Sequence, residues 1–252
     1  MFTTTNNILL GKVLQQHDFV DSTNSQAKIL LAKSKPVEGT VIIAHTQHQG
    51  KGQYGNNWAA IGGQNLTLSI ILYPKFVPAS RQFLLSQAVA LGIRDGLEPY
   101  LPQPAYIKWP NDIISSDKKI CGVLIENSLQ GNVIADSVIG IGVNVNQSDF
   151  DGLPHAASLH TLTGRTFDLD RVFHRILSCI EGYYLQLLAN REAIVESAYF
   201  KHLYRLNQPS TFVAGGNQFE GTIRGVDING RMLVEDNDGV KTYALKEVSF
   251  SY

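Results

Sequence analysis

Two hydrophobic patterns alternate along most of the chain, and each predicts a different element. Short continuous runs of apolar and β-branched residues are typical of strands with both faces covered. Such runs occur at residues 41–44, 66–72, 120–126 and 133–145, and residues 106–109 form a further short strand before a proline. These runs predict the strands of one central sheet.

Apolar residues spaced three and four apart predict four helices among and after these strands. The first begins at the Asp21-Ser22-Thr23-Asn24 segment, and the fourth runs from 192 to about 203. Ser80 is expected to cap the second helix and Asp168 the third, because their side chains can accept free N–H groups of a first turn. Buried faces are expected at Ala27, Leu30 and Leu31 in the first helix, at Leu84, Ala88 and Leu91 in the second, and at Leu169, Val172, Phe173, Ile176, Ile180, Tyr183, Tyr184 and Leu187 in the third.

The pattern changes after Pro209. Four short apolar runs follow, and glycine-containing segments typical of hairpin turns separate them at 215–217, 229–230 and 238–239. Strands this short, joined by such turns, predict a small antiparallel β-barrel. We therefore predict two domains, residues 1–208 and residues 209–252.

Composition narrows the classes of function. The 252 residues carry a formal net charge of −1, so the chain as a whole does not attract nucleic acid or an anionic membrane. Its two cysteines, Cys121 and Cys179, imply no disulfide framework. The N-terminus lacks the pattern of a secretory signal, and no apolar run reaches membrane-spanning length. We expect a protein of the reducing cytoplasm.

The most informative segment is the glycine-rich stretch 50–58, Gly-Lys-Gly-Gln-Tyr-Gly-Asn-Asn-Trp. Its first six residues match the G-x-G-x-x-G pattern of dinucleotide-binding folds, which requires a strand before the glycines and a helix after them. Here a second strand follows, and no acidic residue occurs between Gly39 and Arg94 to hold a ribose. A glycine loop with one lysine and no nearby acid is suited to an anion, above all phosphate, bound by backbone N–H groups and the ammonium.

Three further segments could carry chemistry, and each also has a plain structural interpretation. The segment 108–112, Lys-Trp-Pro-Asn-Asp, is a turn after a strand that Asn and Asp side chains can hold. Lys118 and Lys119 stand at a strand entrance, where they are either solvated or reach into a cleft and stabilise negative charge. Glycines at 122, 140 and 142 interrupt strand interiors, so they either face outward or admit close packing or a ligand.

The histidines beside the glycine loop do not predict a metal site. His45 and His48 are three residues apart on an extended segment, so their side chains point to opposite faces. No third ligand is evident in the sequence, and we expect no metal ion held by protein side chains alone.

Taken together, these segments resemble the biotin protein ligases, that is, the biotin–[acetyl-CoA-carboxylase] ligases. Each motif alone is weak, but their order and spacing are specific, and the resemblance covers nearly the whole chain from Phe19. It implies an α+β fold with a mixed, largely antiparallel central sheet flanked by helices (the class II synthetase-like or biotin–lipoate ligase fold) and a small C-terminal SH3-like β-barrel. The matching segments are 21–24, Gln47, 50–58, 108–112, 119–122, 140–144 and, in the barrel, 221–230.

The resemblance implies two half-reactions. First, the biotin carboxylate attacks the α-phosphorus of ATP, giving biotinyl-5′-AMP and pyrophosphate, with Mg²⁺ accompanying the nucleotide. A lysine amine on the biotin carboxyl carrier domain of acetyl-CoA carboxylase or a related carboxylase then attacks the activated carbonyl and displaces AMP. Biotin and ATP are the expected substrates and the carrier domain is the expected partner. DNA and membranes are not expected partners, and a homodimer through an exposed sheet edge is compatible with the sequence.

The same resemblance implies roles for particular residues. Lys119 would bond the biotin carboxylate and the α-phosphate, Lys51 would lie in the loop that closes over the adenylate, and Asp112 would position magnesium or the incoming lysine. Asn144 would lie at the adenine pocket. Ser22, Thr23 and Gln47 would bind the polar ring of biotin, and the full expected ligand-binding set is Ser22, Thr23, Asn24, Gln47, Gly50, Lys51, Gly52, Gln53, Trp58, Lys119, Gly122, Gly142 and Asn144.

The glycine loop departs from the family pattern. Many members carry Gly-Arg-Gly-Arg where this chain has Gly-Lys-Gly-Gln at 50–53. An arginine forms two parallel hydrogen bonds to a phosphate, a lysine is a single point charge, and a glutamine carries no charge. We therefore expect weaker ordering of the loop or weaker retention of the adenylate, unless another cation such as Lys118 compensates.

The sequence is also compatible with two other functions. A lipoate or octanoate ligase or transferase shares the fold, and a non-catalytic biotin-adenylate sensor would tolerate the missing arginines. About twenty residues precede the Ser-Thr-Asn motif, which are too few for the operator-binding helix-turn-helix of some relatives, so gene repression is not expected.

Overall fold

A seven-stranded mixed sheet forms the larger part of the computed structural model, which describes residues 1–251 apart from the side chain of Tyr54. The strands are β1 (Leu14–Val20), β2 (Val41–Gln47), β3 (Leu66–Leu72), β4 (Ala105–Lys108), β5 (Asp112–Ser115), β6 (Lys118–Gln130) and β7 (Val133–Val143). Their order is β1-β2-β3-β7-β6-β5-β4. Only the β1–β2 pair among these neighbours is parallel, so the predicted mixed, largely antiparallel sheet is confirmed.

Helices cover both faces of this sheet. They are α1 (Thr23–Lys33), α2 (Phe83–Leu97), α3 (Leu159–Thr163), α4 (Leu169–Leu188) and α5 (Glu192–Lys201). Helix α1 is the crossover between the parallel strands β1 and β2, and its Ala27 packs on Ile42, Ile71 and Val138. Helices α2 and α4 pack on the opposite face, in the main core. None of the helices within residues 1–251 is long and apolar enough to cross a membrane.

The two faces follow from the alternation of side chains along each strand. In β3, Leu66, Leu68 and Ile70 belong to the main core, whereas Ile71 faces α1 and Ser69 bonds to residues of α1. The face beneath α1 is therefore partly polar, which is the first indication of a binding surface there.

The chain after 208 forms a second, five-stranded antiparallel sheet. Its strands are β8 (Pro209–Ala214), β9 (Asn217–Val226), β10 (Met232–Asp236), β11 (Gly239–Tyr243) and β12 (Val248–Phe250), in the order β11-β10-β9-β8-β12. The turn before β10 contacts the segment that follows β4 in the large sheet: Trp109 Nε1 donates to Gly230 O at 2.9 Å. The predicted hairpin turns are confirmed, with positive φ at Gly216, Gly230 and Gly239. The division into two domains at 208/209 stays a prediction.

Several predicted elements are confirmed and others are wrong. Asp168 caps α4 through bonds from two backbone N–H groups, and α1 begins directly after Ser22. Ser80 does not cap α2, because it lies in a short 3-10 turn and the helix begins at Phe83. Strands β1 and β5 were not predicted, since β1 contains the polar run 15–18 and β5 is only four residues long.

Helices α2 and α4 approach closely at two glycines. A Cβ on Gly92 would lie 2.4 Å from the Cα of Ile180, and one on Gly96 would lie 2.8 Å from the Cα of Ile176. These backbone contacts allow the two helices to bury the main apolar face of the sheet together.

We expect Gly92→Ala to destabilise the protein by about 1–3 kcal/mol, because the methyl group meets backbone that cannot rotate away. Urea unfolding followed by circular dichroism measures the change. Gly182→Ala is the matched control: it lies on the exposed side of α4 with no atom within 4 Å of the added Cβ. This control should be neutral or stabilising by up to about 1 kcal/mol, through helix propensity. Equal stabilities for the two variants would contradict the packing argument.

Candidate functional site

An open cleft lies on the α1 face of the large sheet, between the first turn of α1, the glycine loop and strands β6 and β7. All the predicted ligand-binding and catalytic residues line it except Gly50 and Asn144. The lining residues are Ser22, Thr23, Asn24, Gln47, Lys51, Gly52, Gln53, Asn56, Asn57, Trp58, Leu68, Asp112, Lys119, Gly122, Val123, Leu124, Gly140, Ile141 and Gly142.

The start of α1 supplies one polar wall. The first N–H groups of a helix have no partner within the helix. Gln47, at the end of β2, provides a hydrogen-bond partner for one of these groups. Its Oε1 accepts from Thr23 N at 2.8 Å and lies 3.2 Å from Thr23 Oγ1. Ser22 is the N-terminal cap residue but makes no side-chain cap bond, so its hydroxyl is not committed to the helix.

The glycine loop folds onto itself as a short hairpin. Trp58 N donates to Gly50 O at 2.8 Å, and Gly52 N donates to Asn56 O at 2.7 Å. These two N–H groups are therefore paired inside the loop, and the predicted backbone cradle for an anion stays a prediction. The loop also presents side chains, and Lys51 Nζ donates to Ser25 Oγ at 2.8 Å. Gly50 lies behind the cleft, where a Cβ would be 2.3 Å from Trp58 O.

The cleft carries more positive than negative charge. Lys119 Nζ forms an ion pair with Asp112 Oδ1 at 2.8 Å, and Lys51 is a second lysine in the lining. Among the described lining residues, Asp112 is the single acid. Lys118 does not line the cleft, because adjacent strand residues point to opposite faces. It is therefore badly placed to replace a missing loop arginine.

A buried thiol next to this ion pair is chemically inert. Cys121 is fully buried, and burial raises the pKa of its thiol. The Asp112 carboxylate raises that pKa further, whereas the Lys119 ammonium lowers it. The thiol therefore stays protonated at neutral pH and is not a nucleophile.

Two glycines in neighbouring strands form a flat floor for an indole. Gly122 and Gly142 are paired in the β6–β7 register. A Cβ on Gly142 would lie 2.2 Å from Trp58 Cε2, and one on Gly122 would lie 3.0 Å from Trp58 Cζ3. The Lys119 ammonium is 5.7 Å from the indole centroid. Of the interpretations left open for these strand glycines, close packing is the one that the structure shows.

Asn144 lies outside the cleft lining but has an unusual feature. Its Nδ2 donates to Ala157 O at 3.0 Å, while its buried Oδ1 has no hydrogen-bond partner in the described part of the chain. An unpaired buried acceptor is costly, so a donor that reached this oxygen would be stabilising.

Comparison with known proteins gives this site a context. A sequence profile of the biotin/lipoate A/B protein ligase family matches residues 17–144. The chain belongs to that family. It is 30% identical over 237 residues to the bifunctional ligase/repressor BirA of Bacillus subtilis, with 92% of this chain and 72% of the relative covered. The biotin–[acetyl-CoA-carboxylase] ligase of Mycobacterium tuberculosis is 29% identical over 231 residues, covering 89% and 85% of the two chains.

A solved structure agrees with the fold of the biotin/lipoate ligase family. Biotin protein ligase from Aquifex aeolicus in complex with biotin and ATP has a TM-score of 0.79 and 26% identity, covering 95% of this chain and 99% of that chain. This similarity confirms the predicted fold class.

Sequence reasoning missed several residues around the site of this family member. Ser69 and Glu126 hold Asn24 in place: Ser69 Oγ lies 2.6 Å from Asn24 Oδ1, and Asn24 Nδ2 donates to Glu126 Oε2 at 2.8 Å. Gly140 leaves room for this amide, because a Cβ there would be 2.4 Å from Asn24 Oδ1. The sequence feature that could have indicated Ser69 is its position as the one serine in the largely apolar run 66–72.

We expect Gly142→Ala to move the Trp58 indole off the strand floor, because the methyl group would overlap it. Iodide quenching of tryptophan fluorescence should rise about twofold or more over that of the unaltered protein. Trp109, the other tryptophan, contributes little because it is 8% exposed. Gly182→Ala is the control, since Gly182 lies on the exposed side of α4 with no neighbouring group within 4 Å of the added Cβ. Unchanged quenching in a folded Gly142→Ala sample would contradict the indole placement.

Proposed function

We propose that this protein is a biotin protein ligase, which forms biotinyl-5′-AMP from biotin and ATP and transfers biotin to a lysine of a carrier domain. The observation that carries the proposal is the meeting of Lys119, Lys51 and the polar wall of Thr23 and Gln47 in one cleft. Such a cleft suits a ligand with an anionic group at one end and a polar ring at the other. Relatives named biotin ligases, and a related structure holding biotin and ATP, support the same activity.

Lys119 is the central charged group of the proposed first half-reaction. A carboxylate oxygen attacks the α-phosphorus, and the bond to the pyrophosphate leaving group breaks. The ammonium would contact the carboxylate and the α-phosphoryl oxygens and stabilise the charge that develops there. Asp112, at 2.8 Å, holds the ammonium in place before the substrates arrive. Catalysis would rest on positioning and charge, with no covalent step on the protein.

The nucleotide would lie over the indole of Trp58, which covers Gly122 and Gly142. The unpaired Oδ1 of Asn144 fits the exocyclic amino group of adenine, and the indole of Trp58 offers an aromatic face. Magnesium bound to nucleotide phosphates needs only one or two protein carboxylates, and Asp112 would be its ligand here. Bound there, the ion would neutralise phosphate charge.

Biotin fits the polar wall better than lipoate or octanoate does. The ureido ring of biotin has N–H donors and a carbonyl acceptor, whereas an octanoyl chain would leave Thr23 and Gln47 unpaired at its tail. The ion pair of Lys119 disfavours a mere sensor, because binding alone needs no cation aimed at the transferring phosphoryl group. We propose that the protein works in the cytoplasm, since both its cysteines are free thiols.

The direct test supplies purified protein with biotin, Mg-ATP and a biotin carboxyl carrier domain, and follows carrier mass. Addition of one biotin to the carrier lysine is the expected result. Labelling of the carrier by lipoate or octanoate instead of biotin would favour a lipoate or octanoate ligase or transferase. Absence of both carrier labelling and biotin-dependent pyrophosphate exchange would contradict the proposed ligase activity and favour a non-catalytic sensor.

We expect Lys119→Ala to lower biotin-dependent pyrophosphate exchange by about 100-fold or more, because the developing phosphoryl charge loses its ammonium. Circular dichroism should show an unchanged fold. Lys118→Ala is the matched control, since that neighbouring lysine is exposed and lies outside the cleft lining. Its exchange rate should stay within about twofold of the unaltered protein. Near-normal exchange in a folded Lys119→Ala sample would exclude the assigned role.

A further inference from the structure

A chain of hydrogen bonds runs from the carboxylate of Glu126, beside α1, to Thr23 in the polar wall of the cleft. Glu126 Oε1 accepts from Lys28 Nζ at 2.6 Å, and its Oε2 accepts from Asn24 Nδ2 at 2.8 Å. Asn24 Oδ1 lies 2.6 Å from Ser69 Oγ, and Ser69 Oγ lies 2.7 Å from Thr23 Oγ1. Asn24, Ser69 and Thr23 are each at most 3% exposed, so water does not compete for these bonds.

The direction of every bond in this chain follows from its first member. An ionised carboxylate can only accept, so the NH₂ group of Asn24 must face Glu126 and its carbonyl oxygen must face Ser69. Ser69 has one hydroxyl proton, and it must be donated to that oxygen. Two hydroxyl oxygens 2.7 Å apart then require the proton of Thr23 between them.

Thr23 therefore has no proton left for a ligand. The same proton is also within reach of Gln47 Oε1 at 3.2 Å, so the two acceptors that can share it both belong to the protein. Thr23 Oγ1 thus offers only a lone pair to the cleft. Gln47 Oε1 is occupied by Thr23 N, so the glutamine offers its NH₂ group.

We propose that Glu126 is a positioning residue that sets Thr23 as a hydrogen-bond acceptor and thereby selects a ligand with a ring N–H at that point. The inference rests on the proposed function, in which the polar ring is the cyclic urea of biotin. A ring oxygen in place of the N–H would set two lone pairs against each other in a buried site, a mismatch that such sites reject strongly.

The charge state of Glu126 supports this direction. Burial acts to raise the pKa of its carboxyl, but hydrogen bonds from Lys28 and Asn24, with the charges of Lys28 and Lys51, lower the pKa overall. The group is therefore ionised at neutral pH.

The test compares biotin with its two cyclic carbamate analogues, in each of which one ring N–H is replaced by oxygen. Calorimetry gives the ratio of dissociation constants, analogue over biotin. We expect the unaltered protein to discriminate by about 100-fold or more against the analogue whose oxygen faces Thr23. In Glu126→Gln, the introduced amide can donate or accept, so Asn24 and the hydroxyls can reverse, and the ratio should fall at least about tenfold.

A control variant separates this role from a general effect of charge. Asp136→Asn removes the negative charge of Asp136, which is paired with Ser128 in the β6–β7 register, and it leaves every bond of the chain in place. This variant should keep the discrimination of the unaltered protein. Ser69→Ala breaks the chain of hydrogen bonds at its middle and should lose discrimination as Glu126→Gln does. This variant tests the proposal if Glu126→Gln does not fold.

The outcomes are distinct. An unchanged ratio in folded Glu126→Gln, or in Ser69→Ala where the former does not fold, overturns the proposal. A fall of similar size in Asp136→Asn also overturns it, because the effect would then be one of charge. Failure of the unaltered protein to bind biotin at all would overturn the ligase function instead.

Discussion

The site depends on the close approach of other groups to a sheet surface that lacks side chains. Residues 122, 140 and 142 all point to the α1 face, and all three are glycine. The indole of Trp58 and the amide of Asn24 occupy the space where Cβ atoms would stand. Helix α1, the glycine loop and the sheet can meet in one cleft only because of this bare floor. The loss of glycine flexibility on folding is the cost of that geometry.

Charge then decides what the cleft can hold. Two lysines and one aspartate line the cleft, and the glycine loop contributes the side chains of Lys51 and Gln53 to that lining. The ammonium groups therefore give the cleft the net positive charge that an anion would meet. A lysine is a flexible point charge, so its contacts with phosphate are less directional than those of an arginine fork. The Lys51–Ser25 bond places that charge beside α1, whereas Asp112 holds the charge of Lys119.

Local sequence predicted the parts of the molecule that local physics determines. The run 66–72 became β3, and Asp168 capped α4, because burial and capping act within a few residues. Strand β1 was not predicted because its residues are polar and lie at the edge of the sheet. Backbone pairing with β2, and not burial of apolar side chains, stabilises this strand. The cleft motifs could be recognised by type and order. Their exact contacts could not, since Gly142 and Trp58 are far apart in sequence and meet only in the folded sheet.

The link between Asn24 and Glu126 shows why a position remote from the ligand can matter. An amide is nearly symmetric in shape, so packing alone does not choose between its two orientations. A carboxylate does choose, because it accepts and never donates while ionised. Partial burial of that carboxylate is tolerable here because Lys28 and Asn24 satisfy both its oxygens. The protein thus converts one half-buried charge into a fixed pattern of donors and acceptors at Thr23 and Gln47, which neither side chain could hold by itself.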